Sequence, residues 1–329
     1  MKVILVGFGT IGSGLAAVFE KRARTPGGHS PDFKIVAVVD SKSAAADDRG
    51  LTATSLLRRK RRDGRVGSLD RSALEVIRDS DADAIVEATP ASRDGEPALS
   101  HIREALRSSK SVVTANKMPL ALHYSALLGE ARRRGVGLLY GACVGGGLPI
   151  LEFGRACAEA ETVDRIDGVL NATSNFVLTK IEEGESYAGA LREAQKLGYA
   201  ETDPSFDIDG LDAACKLVIL ANHVMGRDFR LKDVKPLSGI RRVTHASVRS
   251  AGKNGRAVRL VAHARKSLDV IATEVVKTSP LAVKGPSHAV VFHCSESGDR
   301  AILGRGAGSV TTSLAVLRDL IQLARVRAA

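Results

Sequence analysis

The densest group of side chains able to do acid–base chemistry lies between residues 198 and 216. Asp212 and Lys216 are four residues apart at the start of a predicted helix over residues 211–224, so their side chains share one face and can touch. On a protein surface such a pair contributes only about 0.3–0.5 kcal/mol. Residues 217–221 are apolar, however, which predicts a buried helix whose charges face a cavity. A partly desolvated lysine beside a carboxylate can donate and accept a proton.

A glycine-rich turn near the N-terminus predicts a dinucleotide site. Residues 2–6 are an apolar β-type run, GxGxxG follows at residues 7–12, and a helical pattern of apolar residues begins at Leu15. The glycines allow the backbone to approach a pyrophosphate, and the unpaired N–H groups of the helix start point at the anion. The predicted cofactor-binding residues here are Gly7, Phe8, Gly9, Thr10, Ile11 and Gly12.

A second lysine, Lys117, lies just beyond a predicted parallel strand over residues 111–114. Ligands of open α/β sheets bind at the carboxyl ends of the strands. Lys117 is therefore at least as well placed for a functional role as for that of an exposed lysine at the start of a loop. Thr89 and Pro90 follow the preceding strand at the same edge, and we expect them to line the nicotinamide side of a bound cofactor.

Alternating strand and helix patterns predict a Rossmann domain over residues 1–140, a doubly wound parallel sheet of the α/β class. The pattern then changes to an α+β domain over residues 141–303, expected to carry substrate binding and dimerisation. A glycine turn and a helix over residues 304–329 are expected to pack back toward the cofactor domain. The strands predicted in the second half cover residues 167–171, 258–263, 270–277, 289–294 and 301–303.

Composition excludes several classes of protein. The chain of 329 residues is 44% hydrophobic and 26% charged, which is typical of a globular enzyme. No apolar stretch reaches membrane-spanning length and no leader precedes the first strand, so we expect a cytoplasmic protein with no membrane partner. The four cysteines lack CxxC pairing, which argues against a zinc site and indicates a reducing compartment.

The net charge of +11 raises the question of nucleic acid binding. One basic run carries much of it, but no aromatic residues interleave with the run as stacking platforms would. A solvated charged face or a cofactor phosphate site is therefore favoured, and no nucleic acid partner is expected. The residues of this basic run are Arg58, Arg59, Lys60, Arg61, Arg62 and Arg65.

Several longer motifs resemble those of the homoserine dehydrogenase family, and they extend through nearly the whole chain. They occupy residues 7–14, 114–117, 144–150, 170–176, 197–204, 212–216 and 306–308. The resemblance implies reversible reduction of L-aspartate 4-semialdehyde to L-homoserine with NAD or NADP, a step toward threonine, methionine and isoleucine. It also implies a homodimer.

The resemblance further assigns roles to residues of this chain. Lys216 would donate the proton to the aldehyde oxygen, with Lys117 sharing the relay, and Asp212 would orient both Lys216 and the substrate. Glu201 would hold the substrate ammonium group. Further substrate residues implied are Tyr199 and Thr173, and further cofactor residues are Asn116, Gly306, Ala307 and Gly308.

The chain departs from the family pattern at Gly141, where a glutamate is common. The family can hold a monovalent cation, often sodium, at this turn, so loss of the acid puts that site in question here. Its candidate ligands, through backbone carbonyls, are Gly141, Val144, Gly146 and Leu148. No C-terminal regulatory extension is expected, and hence no feedback inhibition through one.

The choice of cofactor is open at this level. Asp40, at the end of the second strand, would accept hydrogen bonds from a ribose 2′-OH and favour NAD, whereas the basic run would favour the 2′-phosphate of NADP. We expect both to be used. Alternative hypotheses are another Rossmann amino-acid oxidoreductase, such as an aspartate dehydrogenase, and a nucleotide sensor without catalytic activity.

Overall fold

The computed structural model describes residues 1–23, 33–306 and 308–328, which form two compact units. Unit 1 comprises Met1–Cys143 with Gly308–Ala329, and unit 2 comprises Val144–Ala307. None of the helices within the described residues is long and apolar enough to cross a membrane.

Unit 1 is built on a six-stranded sheet in the order β3-β2-β1-β4-β5-β6, in which only β3 runs antiparallel to its neighbour. Its strands are buried along most of their length because helices cover both faces, as in other parallel sheets. The elements are β1 (Lys2–Val6), α1 (Thr10–Ala23), β2 (Lys34–Asp40), β3 (Ser43–Ala46), α2 (Ala53–Asp63), α3 (Ala73–Asp79), β4 (Ala84–Glu87), α4 (Ala98–Arg107), β5 (Ser111–Thr114), α5 (Lys117–Arg134) and β6 (Leu138–Leu139).

Unit 2 contains a second six-stranded sheet in the order β12-β11-β7-β9-β10-β8, mixed but mainly antiparallel. Helices α6 and α10 pack on one face, where Phe292 meets Phe153 and the backbone of Gly154. The elements are α6 (Ile150–Ala160), β7 (Val163–Val169), α7 (Ala172–Glu182), α8 (Tyr187–Lys196), α9 (Ser205–Ile208), α10 (Leu211–Met225), β8 (Val234–Leu237), α11 (His245–Lys253), β9 (Arg256–Ala264), β10 (Leu268–Val276), β11 (Ser287–Cys294) and β12 (Gly298–Arg305).

The last helix, α12 (Ser309–Ala328), returns to unit 1 and packs against α1. Ser313 of α12 donates to the Ile11 carbonyl at 3.1 Å, and a Cβ on Gly14 would lie only 2.6 Å from the Ser313 hydroxyl oxygen. Val316, Leu320 and Leu323 join the core of unit 1. The glycine motif that opens the chain is therefore packed against its last described helix.

The α/β fold predicted from sequence is confirmed. The structure differs from the prediction in two details. The strand expected over residues 167–171 is β7, which ends at Val169, because Asn171 instead caps α7 by accepting a hydrogen bond from the Ser174 N–H at 2.7 Å. Helix α2 was not predicted; it carries Arg58 to Arg62 of the basic run, whereas Arg65 follows its end.

We expect Phe292→Ala to destabilise the protein by about 3–5 kcal/mol, because the removed ring leaves a cavity between α6 and the sheet. Val326→Ala, at a 72% exposed position of α12, should change the free energy of unfolding by less than about 0.5 kcal/mol. Urea unfolding followed by circular dichroism measures both. Equal losses in the two variants would contradict the central place of Phe292 in this core.

Candidate active site

The turn after β1 in unit 1 has the geometry of a pyrophosphate site. Gly7 has φ +95°, and a Cβ there would lie 2.5 Å from the Ala88 carbonyl oxygen. A Cβ on Gly12 would lie 2.1 Å from the Gly7 carbonyl oxygen, whereas one on Gly9 would meet no described atom within 4 Å. Strand, turn and helix α1 are thus packed too closely for larger residues, while the backbone at Gly9 is open to a ligand. Helix α1 begins at Thr10 and Ile11, and the preceding Phe8 is buried. The residues present therefore fit a dinucleotide at the start of this helix.

Asp40, at the end of β2, is held by four donor groups. Its Oδ1 accepts from the backbone N–H of Lys42 and of Ser43, both at 2.9 Å, and from the Ser43 hydroxyl. Its Oδ2 accepts from Lys60 Nζ of α2 at 2.6 Å. Burial by itself would raise the pKa of Asp40, but these bonds, the one from Lys60 first, bring it below its usual value. The acid predicted to contact the ribose therefore carries a counter-charge from the basic run.

The ends of β4 and β5 meet at the same sheet edge, as the sequence predicted. Asn116 caps α5 and its side-chain amide donates to the carbonyls of Thr89 and Pro90, each at 3.4 Å. Lys117 is the first residue of α5 and is half-buried. A cation at a helix N-terminus interacts unfavourably with the helix dipole, so the charge of Lys117 destabilises the start of α5.

The predicted proton donor, Lys216, lies on α10 in unit 2 and is half-buried. Its Nζ donates to Asp212 Oδ2 at 2.7 Å and to the Leu170 carbonyl at 2.8 Å. The side chains of Lys216 and Asp212 are only 13% and 7% exposed. This low exposure excludes the alternative of a surface ion pair. The ammonium group has three hydrogens, and these two bonds use two of them.

A second carboxylate, Asp207, joins this pair through Asn171. The Asn171 amide nitrogen donates to Asp207 at 2.6 Å and to Asp212 at 2.8 Å. The Thr173 hydroxyl lies 2.9 Å from Asp207 and 2.6 Å from the Tyr199 carbonyl. Burial and the charge of Asp212 raise the pKa of Asp207. The cluster of two acids and one lysine lies at helix starts and strand ends of unit 2.

Sequence reasoning missed Asp207 and Asn171 as site residues. Asp207 was visible within the acidic stretch, and Asn171 was the last residue of a predicted strand, but neither position shows that one amide bridges two acids. Of the other predicted residues, Thr173 and the Tyr199 backbone join the cluster, whereas the Glu201 side chain is exposed and its carbonyl accepts from Gln195 at 3.1 Å.

The remaining predicted residues lie at two glycine turns. In unit 2, Gly146 packs against Gly306, so that a Cβ on Gly146 would lie 1.8 Å from the Gly306 carbonyl oxygen. Val144 is fully buried and Leu148 donates to the Gly145 carbonyl at 3.0 Å. Gly308 begins the approach to α12, where its carbonyl accepts from Thr312 at 3.0 Å. Ala307 lies outside the described residues.

Gly141 does have an acid beside it, although it carries none itself. Its N–H donates to Asp319 of α12 at 2.8 Å, and a Cβ at residue 141 would lie 2.7 Å from that carboxylate. Among the described residues, no group of three or more His, Cys, Asp or Glu side chains could hold a metal ion. A cation held by backbone carbonyls at this turn stays a prediction.

His288 is an additional buried polar residue of unit 2, close enough to Lys216 to interact with its charge. It is 3% exposed, and neither ring nitrogen has a hydrogen-bond partner among the described residues. A Cβ on Gly306 would lie 1.8 Å from its Nδ1, so only glycine leaves room for the imidazole. Burial, reinforced by the charge of Lys216, lowers the pKa of His288 to about 3, and the ring is neutral at physiological pH.

Comparison with known proteins supports one family throughout. The model of the homoserine dehydrogenase NAD binding domain matches residues 7–141, and the homoserine dehydrogenase model matches residues 149–321. A homoserine dehydrogenase of Methanocaldococcus jannaschii is 40% identical over 98% of both chains. An NAD(+)-dependent homoserine dehydrogenase of Pseudomonas canavaninivorans is 35% identical over 98% of this chain and 96% of its own length.

A solved structure of a hyperthermophilic archaeal homoserine dehydrogenase in complex with NADPH has a TM-score of 0.86 to this chain. It is 28% identical, over 99% of this chain and 98% of its own. The matches cover both halves, which favours the predicted activity over an aspartate dehydrogenase or a nucleotide sensor. The chain is an NAD(P)-dependent oxidoreductase and belongs to the homoserine dehydrogenase family.

Proposed function

We propose that this chain interconverts L-homoserine and L-aspartate 4-semialdehyde with Lys216 as the proton donor and acceptor. The observation that carries the assignment is the burial of Lys216 against Asp212 and the Leu170 carbonyl. Bound NAD(P)H or NAD(P)+ supplies or accepts the hydride at the substrate carbon. As the carbonyl oxygen gains negative charge, the Lys216 ammonium stabilises that charge and transfers a proton to it.

The acids around Lys216 suit a substrate that carries an ammonium group. Asp207 and Asp212 together outweigh the single positive charge of Lys216, so the cluster favours a cation. Glu201 is close to Asp207 in sequence and its side chain is exposed. It adds a carboxylate that can pair with the substrate amine. Thr173 and Tyr199 fix the position of Asp207 and of the chain that carries Glu201.

Both NAD and NADP are proposed as cofactors, bound at Gly7–Gly12 and at the edge formed by Thr89, Pro90, Asn116 and Lys117. The Asp40–Lys60 pair at the end of β2 supports this proposal, because it offers an acceptor for a ribose 2′-OH and a cation for a 2′-phosphate. Gly306, Ala307 and Gly308 stay predicted cofactor residues on the strength of the family resemblance. A homodimer in the cytoplasm, with no nucleic acid partner, completes the proposal.

We expect Lys216→Met to lower kcat/KM for homoserine by about 10²- to 10⁴-fold, the range of general acid–base catalysis. Cofactor affinity, measured by calorimetry, should change less than about twofold, because Lys216 is assigned to the proton step and to none of the predicted cofactor contacts. Lys180→Met is the matched control. It removes a lysine of α7 that pairs with Glu193 of α8, and the variant should oxidise homoserine at the wild-type rate. Near-normal turnover of the Lys216 variant would move the proton step to Lys117.

We expect Asp207→Asn to remove a pH-dependent loss of stability. The folded protein raises the pKa of Asp207 above its ordinary 3.8, so the fold binds this proton more tightly than the unfolded chain does. Stability from this group therefore falls as pH rises from 3.8 through the raised value. The free energy of unfolding in urea, compared from pH 4 upward, should therefore shift in favour of the variant as pH increases. A constant difference between the two proteins would contradict the raised pKa.

We expect Asp40→Asn to raise the ratio of catalytic efficiencies for NADP over NAD by about tenfold, because it frees Lys60 and removes a negative charge facing the 2′-phosphate. Steady-state oxidation of homoserine with each cofactor measures the ratio. Asp47→Asn, at a half-buried carboxylate held by Arg49, is the control. An unchanged ratio in the Asp40 variant would exclude this residue from cofactor choice.

A further inference from the structure

A buried carboxylate at the end of β4 holds the residue that follows it. Glu87 is fully buried, and its Oε1 accepts from the Thr89 N–H at 2.8 Å and from the Thr89 hydroxyl. Its Oε2 lies 2.8 Å from His101 Nδ1 of α4, which is itself 7% exposed. A carboxylate accepts hydrogen bonds only, so Thr89 and His101 are the donors in all three contacts.

This arrangement decides the chemistry of the Thr89 hydroxyl. A hydroxyl has one hydrogen and two lone pairs, and the hydrogen of Thr89 is committed to Glu87. What Thr89 offers to a ligand is therefore an acceptor. A ligand group must bring its own N–H or O–H to pair with it.

Thr89 lies beside the nucleotide turn of the same unit. A Cβ on Gly7 would lie 2.8 Å from the Thr89 nitrogen, so the two loops are in contact. Asn116 holds the Thr89 and Pro90 carbonyls from the neighbouring strand end. Thr89 is half-buried, fixed on three sides, and lies at the edge where this fold binds the nicotinamide half of its cofactor.

We propose that the Thr89 hydroxyl accepts a hydrogen bond from the carboxamide NH2 of the nicotinamide, and that Glu87 and His101 are positioning residues that keep it an acceptor. The inference rests on the proposed function, since it requires a nicotinamide cofactor. It fixes the carboxamide rotamer, with NH2 rather than C=O toward Thr89.

The test compares the oxidised cofactor with its 3-acetylpyridine analogue, in which a methyl ketone replaces the carboxamide and removes the N–H donor. Dissociation constants come from isothermal titration calorimetry, which needs no turnover and suits a chain without tryptophan. Wild-type protein should favour the natural cofactor over the analogue by roughly three- to tenfold, the range of one neutral hydrogen bond. Thr89→Val should bind both alike, and Thr89→Ser should retain the preference.

The positioning pair has its own variants. Glu87→Met removes the acceptor and should abolish the preference as Thr89→Val does. Glu87→Gln should keep it, because the amide oxygen still accepts from Thr89 and the amide NH2 can meet His101 in its other tautomer. Thr273→Val, a half-buried threonine of β10 that donates to the Ile271 carbonyl, is the matched control. Thermal unfolding of each variant reports whether the fold is retained.

Equal weakening of both ligands by Thr89→Val would show a merely structural role and overturn the proposal, as would an unchanged preference. Oxidation of homoserine by the wild-type protein is measured in parallel. If the wild type oxidises homoserine but Thr89→Val keeps its preference, this inference alone fails. If the wild type does not oxidise homoserine, the proposed function fails first.

Discussion

The structure of unit 2 is organised around the cost of keeping a lysine charged away from water. An ammonium removed from solvent must be surrounded by acceptors that replace its lost hydration. Lys216 meets this requirement through two pieces of chain: Asp212 on its own helix, and the Leu170 carbonyl at the exit of β7. The next residue, Asn171, links Asp212 to Asp207. The ends of β7, α7, α9 and α10 have to meet at this point for the charge to be tolerated.

Unit 1 uses a related device at the ends of its parallel strands. Asp40, Glu87 and Thr114 are the last residues of β2, β4 and β5, and each accepts hydrogen bonds from the loop that follows it. Side chains at strand ends thus hold the loops that a nucleotide would contact. Because loops are otherwise the most mobile parts of a fold, these bonds supply the rigidity that a precise hydride transfer needs.

Much of this architecture is predictable from sequence, and the exceptions have physical causes. The strand–glycine–helix order around Gly7 and the buried Asp212–Lys216 pair depend on local spacing, which sequence shows directly. The bridge from Asn171 to Asp207 depends on residues 36 apart in sequence that the fold brings together, so no local pattern contains it. Helix α2 was obscured by its own composition, since its apolar face is reduced to Ala53 and Leu56 beneath a dense run of cations.

The placement of α12 bears on how the protein is made. Unit 1 draws part of its core from Val316, Leu320 and Leu323, while unit 2 is continuous in sequence between them and the first 143 residues. On the ribosome, the unit encoded second therefore has its full set of residues before the one encoded first. The nucleotide-binding half can therefore complete its core only after α12 has been synthesised.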